Sequence, residues 1–140
     1  MWKIKLLVLC LFLGVNIFCY SQNRLKYIKI GTVEGVSETT EFKRVGGEAK
    51  YLQLLKEFEK SFSKINNGYL DYYRDYSIID FTSPKLLEVK LYPKQSVSNE
   101  DKKNLYFWSV PLKTKIYKVY YDIKAKKLHK PIETSQGIIE

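Results

Sequence analysis

The chain has 140 residues, of which 45% are hydrophobic, and 24 Lys or Arg against 15 Asp or Glu give a formal net charge of +9. The apolar fraction excludes a disordered chain, and 7 Gly and 4 Pro exclude collagen-like or low-complexity material. A single His, two Cys and the lack of any phosphate-binding glycine motif predict neither a metal site nor a cofactor.

Residues 1–21 have the order of a secretory signal peptide. Two lysines lie near the start, and an apolar run covers residues 6–13. The small residues Cys19 and Ser21 occupy positions −3 and −1 relative to a cleavage site before Gln22. Signal peptidase accepts short side chains at those two positions. We therefore expect cleavage after Ser21 and export of one small domain, residues 22–140, to the periplasm or the extracellular space.

Two other fates of the N-terminal segment are an uncleaved anchor and a lipoprotein modified at Cys19. Asn16 shortens the apolar run below the ~20 residues that a membrane crossing needs, and Phe18 stands where a lipoprotein signal has a small residue. Cleavage would remove Cys10 and Cys19, so the exported domain would hold no disulfide and would depend on its core.

The first predicted elements of the domain are a strand and a long helix. Arg24–Ile30 is rich in β-forming residues, whereas Gly31, Gly35 and the polar run over 34–41 predict a loop or an irregular edge. Apolar residues then recur at helical spacing over Glu48–Ile65, and Asn66-Asn67-Gly68 predicts a left-handed stop. The helix face expected against the sheet carries Leu55, Phe58 and Phe62.

Strands dominate the rest of the sequence. Alternation over Tyr69–Phe81 and the apolar run Leu86–Tyr92 predict two strands joined by a turn, with a charged loop over Pro93–Asn104. The later predicted elements are strands at Leu105–Val110 and Thr114–Ile123, a lysine turn at Lys124–Lys127, a short return strand near Leu128–Lys130 and a frayed tail from Pro131. This order predicts an α+β fold in which one amphipathic helix packs on a curved antiparallel sheet of about four to five strands.

The excess of positive charge is concentrated near the C-terminus. Between Lys113 and Lys130 there are seven lysines against one acid, Asp122. Coding bias is an alternative explanation, because Lys, Ile, Asn, Tyr and Phe all have AT-rich codons and are abundant here. A concentrated field would attract an anionic partner, and exposed tyrosines would add contact area. The predicted binding residues are Lys124, Lys126, Lys127, Lys130, Tyr117, Tyr120 and Tyr121.

No set of residues predicts a catalytic centre. On a strand Asp71 and Asp75 would lie about 13 Å apart, beyond the ~5–9.5 Å that paired carboxylates use in glycoside hydrolysis, and Asp80 is farther along. His129 has no carboxylate or nucleophile beside it in sequence; it lies between Leu128 and Lys130, and the pair Lys126 and Lys127 is nearby.

The sequence favours a non-catalytic binding domain over an enzyme. Its partner would be an anionic envelope component, such as a lipopolysaccharide, an acidic glycan or a membrane surface, or a protein. An exported chain seldom meets nucleic acid, and the signal segment is the one part that we expect to enter a membrane. The alternatives are a small acid–base hydrolase with a pocket between helix and sheet, and a structural envelope component.

Overall fold

The computed structural model describes residues 24–104 and 114–135, which contain seven strands and two α-helices. The predicted signal peptide and the predicted strand Leu105–Val110 lie outside the described residues. The strands are β1 (Leu25–Ile30), β2 (Val33–Glu38), β3 (Tyr72–Ile79), β4 (Leu86–Pro93), β5 (Lys115–Asp122), β6 (Lys127–Leu128) and β7 (Ile132–Ser135). The helices are α1 (Glu48–Phe62) and α2 (Asn99–Asn104), and 3₁₀ segments occur at Thr39–Val45, Asn66–Gly68 and Lys94–Ser96.

All seven strands form one sheet in the order β1-β2-β3-β4-β5, with β6 and β7 both paired to the outer edge of β5. The pair β2–β3 is parallel and the other pairs are antiparallel. The α+β class is therefore confirmed. The sheet itself is mixed and seven-stranded, rather than antiparallel with four to five strands as the sequence suggested. A second short helix, α2, lies within the predicted loop Pro93–Asn104.

Strand β2 lies where the sequence predicted a loop, and Gly35 is the reason for the error. A Cβ atom at Gly35 would lie 2.7 Å from the Tyr76 ring and 2.8 Å from the Arg74 side chain. The glycine therefore allows two neighbouring strands to approach closely, which is one of the roles of glycine inside a sheet. Gly35 therefore marks a close approach between β2 and β3, not a turn.

The C-terminal tail provides the second difference from the expected sheet. Residues Ile132–Ser135 pair with β5 in an antiparallel register that runs from Lys118–Ile132 to Lys115–Ser135. The sequence predicts a frayed tail from Pro131, because chain termini are often poorly ordered. Edge pairing with a long strand, which no local pattern records, gives it β structure.

Helix α1 covers one face of the sheet with the side chains that its periodicity predicted. Leu55, Phe58 and Phe62 are fully buried against residues of β4 and β5. The helix ends at Phe62, three residues before the predicted end, and Asn66, Asn67 and Gly68 all have positive φ, as expected of a left-handed stop. No helix in the described part of the chain is long and apolar enough to cross a membrane.

The opposite face of the sheet carries a smaller apolar cluster. The cluster consists of Val36, Tyr73, Tyr92, Val97 and Ile116. Segment 94–104 lies near this face, where the Lys102 ammonium of α2 contacts the Glu34 carboxylate of β2 at 2.7 Å. The two faces thus differ: α1 covers one, and short segments cover part of the other.

A buried arginine joins the end of α1 to the sheet. Arg74 is 0% exposed, and its Nε and Nη2 groups donate to the two carboxylate oxygens of Glu59 at 3.1 and 3.2 Å. The Tyr76 hydroxyl donates to the same carboxylate at 2.7 Å. The remaining three N–H groups of the guanidinium donate to the backbone carbonyls of Gly68, Tyr69 and Tyr72. All five donors are therefore used, as a buried charge requires.

We expect Arg74→Lys to lower the free energy of unfolding by about 3 kcal/mol, measured by chemical denaturation. A lysine keeps the charge, but its single nitrogen cannot serve Glu59 and three carbonyls at once, and buried acceptors would stay unsatisfied. The matched control is Arg44→Lys, in which an exposed arginine is replaced and a loss below about 1 kcal/mol is expected. Equal small losses in the two variants would contradict this role of Arg74.

Candidate functional site

Three segments that are distant in sequence meet at one end of the sheet. They are the β3–β4 turn, the β5–β6 turn and the 3₁₀ segment before α1. The Ile123 backbone N–H donates to the Lys85 carbonyl at 3.3 Å, and the Lys85 ammonium donates to the Arg44 carbonyl at 2.8 Å. The Arg44 guanidinium in turn lies 2.9 Å from Asp80. These bonds hold the three segments side by side.

This surface carries many exposed cations, and we refer to it as the basic end. Its members are Lys43, Arg44, Lys50, Lys85, Lys124, Lys126 and Lys127, all of them exposed. Arg44 is paired with Asp80, and Lys126 lies 3.8 Å from Glu57. Among the described residues, the other five have no carboxylate within 4.0 Å. The basic end therefore presents a largely uncompensated positive field.

The β5–β6 turn has a defined conformation that presents its lysines to solvent. The Asp122 carboxylate accepts a hydrogen bond from the Ala125 backbone N–H at 2.9 Å, which closes the turn. Lys126 adopts a left-handed conformation with φ of 53°, and β6 begins at the next residue. The one acid of the lysine-rich segment therefore serves the backbone of the turn.

An open groove of about 360 Å³ lies beside this turn, between α1 and Ile123. Its apolar lining comes from Val45, Ala49, Leu54 and Ile123, and its polar lining from Lys50, Gln53 and Glu57. Ile123 is followed directly by Lys124, so an apolar concavity adjoins the lysine turn. The basic end thus combines positive charge with accessible apolar surface.

The structure brings some of the sequence-predicted site residues together and separates others. Lys124, Lys126 and Lys127 lie at the basic end, while Lys130 is exposed beyond β6. Tyr121 is 1% exposed in the core beneath α1. Tyr120 points to the opposite face of the sheet. Its pKa is raised mainly by burial and, to a smaller extent, by the nearby Glu88 carboxylate.

Tyr117 belongs to an aromatic cluster at the other end of the molecule. Its ring centroid lies 5.3 Å from that of Tyr69 and 5.6 Å from that of Tyr72, and Phe62 stacks on Tyr69 at 5.3 Å. Seven residues of extended chain, roughly 20 Å, separate Tyr117 from Lys124. The predicted tyrosines and lysines therefore do not form one continuous surface.

Sequence reasoning missed four members of the basic end: Lys43, Arg44, Lys50 and Lys85. Strand pairing could have indicated Lys85, because an antiparallel β4–β5 pair with Leu86 opposite Asp122 places Lys85 beside the lysine turn. Lys43 and Arg44 lie on the 3₁₀ segment before α1 and Lys50 lies in the first turn of α1, so all three reach this end through the direction in which α1 crosses the sheet. No local pattern contains that information.

The acids considered for catalysis lie apart from one another. Asp71 is exposed before β3, Asp80 is exposed after it, and Asp75 is half-buried on the face opposite α1, with Lys90 across from it on β4. Burial raises the pKa of Asp75 to about 6. The nearby Lys90 ammonium lowers this pKa, and the Glu88 carboxylate raises it further. His129 is exposed, and its backbone N–H donates to the Tyr120 carbonyl at 2.9 Å.

The raised pKa of Asp75 makes stability depend on pH. The folded state holds the proton more tightly than the unfolded state, so this contribution to stability is present below about pH 4 and is lost as the pH rises through about 6. We expect Asp75→Asn to raise the free energy of unfolding at pH 7.5 by on the order of 1–2 kcal/mol, an effect reduced by the partial exposure of the group.

The test is chemical denaturation of both proteins across pH 4 to about 8. The difference between them should shrink as the pH falls from about 6 to about 4, because the parent carboxyl is then protonated in the folded state and becomes increasingly protonated in the unfolded state. A constant difference over that range, or a variant that is less stable at pH 7.5, would contradict the assignment.

Within residues 24–104 and 114–135, no group of three or more His, Cys, Asp or Glu side chains could hold a metal ion. No family model, curated protein or solved structure matches the chain.

Proposed function

We propose that this protein is an exported, non-catalytic binding domain whose basic end holds an anionic component of the cell envelope. The observation that carries the proposal is the convergence of exposed cations from three separate segments onto one end of the sheet. Coding bias raises the number of lysines in a chain, but it does not determine their arrangement in space.

The chemistry of these cations suits an extended anion. Six of the seven are lysines, whose ammonium groups act as compact charges on flexible stems, whereas arginine provides the rigid two-pronged contact of a specific carboxylate or phosphate site. One exposed lysine contributes little alone. Several together give binding that weakens steeply with salt, with a screening length of ~8 Å at physiological ionic strength.

The two alternatives have less support. The interior between α1 and the sheet, where a hydrolase pocket was considered, is filled by the buried side chains of Phe58, Phe62, Tyr76 and Tyr121. The open groove beside Ile123 is lined by a single carboxylate, that of Glu57, and not by the pair that acid–base hydrolysis needs. A structural envelope component would need a large apolar patch. The large exposed hydrophobic residues in the described ranges, Tyr27, Leu70, Phe81 and Ile132, come from different elements of the fold.

Charge reversal in the β5–β6 turn tests the binding proposal. We expect the triple variant Lys124→Glu/Lys126→Glu/Lys127→Glu to leave a heparin column at much lower salt than the parent, because it removes three cations and adds three anions at the basic end. The matched control, Lys56→Glu/Lys60→Glu/Lys64→Glu, makes the same change in net charge on exposed positions of α1 and just after it.

The control variant should elute closer to the parent, and thermal unfolding should show that both variants fold. If both variants elute together, net charge alone governs retention. If the β5–β6 variant folds and is retained like the parent, the basic end is not a binding surface. Either result would overturn the proposal.

Export is tested by mass spectrometry of the protein recovered from its native host. We expect a chain that begins at Gln22, because the small residues Cys19 and Ser21 place the cleavage site there. A chain that begins at Met1, or one with a lipid on Cys19, would contradict this processing.

A further inference from the structure

The tip of the β3–β4 turn carries an aromatic side chain in full contact with solvent. Phe81 is 85% exposed, the most exposed of the large hydrophobic residues that the structure describes. The next three residues, Thr82, Ser83 and Pro84, are also exposed, so the tip projects beyond the sheet. A phenylalanine has no polar group that water could satisfy, and such exposure favours transfer to an apolar phase.

The surroundings of Phe81 are cationic. Asp80, which precedes it, is paired with Arg44 at 2.9 Å, and Lys85, at the other side of the tip, donates to the Arg44 carbonyl. The Lys85 carbonyl also accepts from Ile123, the residue before the lysine turn. The exposed aromatic ring is therefore part of the basic end.

We propose that the basic end docks on the surface of an anionic lipid bilayer, with Phe81 entering the boundary between headgroups and acyl chains. This inference rests on the proposed function and names the class of its partner. It differs from the expectation drawn from the sequence, in which only the signal segment enters a membrane.

A bilayer fits these features better than a soluble polyanion does. An acidic glycan supplies negative charge but no apolar phase for Phe81, whereas a bilayer supplies both within a few ångströms. Lysine stems can lie along the apolar boundary while their ammonium groups stay at the level of the phosphates. The groove next to Ile123 adds apolar surface at the same end.

Docking of this kind is reversible and depends on two contributions. Several lysines attract the surface over roughly one screening length, and one inserted ring adds a short-range contribution. Loss of either should weaken binding without abolishing the fold, because all of these side chains are exposed. The two contributions can therefore be removed separately.

The experiment is co-sedimentation of the purified exported protein with vesicles. We expect binding to vesicles of equal phosphatidylglycerol and phosphatidylcholine, and much weaker binding to phosphatidylcholine alone. Phe81→Ala should bind the anionic vesicles about tenfold more weakly. The matched control is Leu70→Ala, which removes a 49% exposed hydrophobic side chain before the opposite end of β3 and should leave binding unchanged.

Insertion itself is measured with Phe81→Trp. We expect its tryptophan emission to shift to shorter wavelength on anionic vesicles and to be quenched by lipids brominated on the acyl chain, beyond any change in the parent, which already contains Trp108. Leu70→Trp should show no such additional change.

The outcomes separate this inference from the function on which it rests. If the parent binds heparin through the lysine turn but ignores anionic vesicles, the partner is a soluble polyanion such as an acidic glycan, and the bilayer proposal is overturned alone. If vesicles bind but Phe81→Ala binds like the parent, insertion is refuted. If neither probe binds, both proposals are wrong.

Discussion

The rest of the fold depends on one buried ion pair and the carbonyl groups around it. A guanidinium inside a protein is costly unless every N–H has an acceptor, and Arg74 meets this condition with Glu59 and three backbone carbonyls. Those acceptors lie on the last turns of α1, in the left-handed stop after it and at the start of β3. One side chain thus fixes the end of the helix, the path of the loop and the entry into the sheet, and Tyr76 adds a further hydrogen bond to Glu59.

The ion pair holds the last turns of α1 beside the start of β3. From there the packing of the apolar helix face on the sheet sets the direction of α1, and its first turn lies at the end of the sheet where β3 finishes. The segment before α1 therefore meets the β3–β4 and β5–β6 turns, and Arg44 lies beside Asp80 and Lys85. The buried ion pair and the basic end thus lie at opposite ends of α1.

The buried ion pair and the basic end differ in how strongly water solvates their charges. At the buried end, desolvation is severe, so the geometry must satisfy each donor. At the basic end, water screens the lysines, so several like charges can gather at little cost and remain available to a partner.

The tyrosines predicted as binding residues lie in three different places. Tyr121 is in the core, Tyr120 is on the opposite face of the sheet, and Tyr117 belongs to an aromatic cluster. Alternation along a strand sends neighbouring residues to opposite faces, which is why adjacent tyrosines do not make one surface.

Periodicity and residue type were enough to predict the local elements, which are the apolar face of α1, its left-handed stop, strands β1, β3, β4 and β5, and the lysine turn. Local spacing records which side of an element will be buried, so these followed from residues close together in the chain. Two strands depend on contacts between distant parts of the chain and could not be predicted locally. Strand β2 joins the sheet where Gly35 lets β3 approach closely, and Ile132–Ser135 pairs with β5. The tertiary structure also decided the full basic end, because Arg44, Lys50 and Lys85 reach the lysine turn through the direction of α1 and the strand register, and both arise from contacts between residues far apart in sequence.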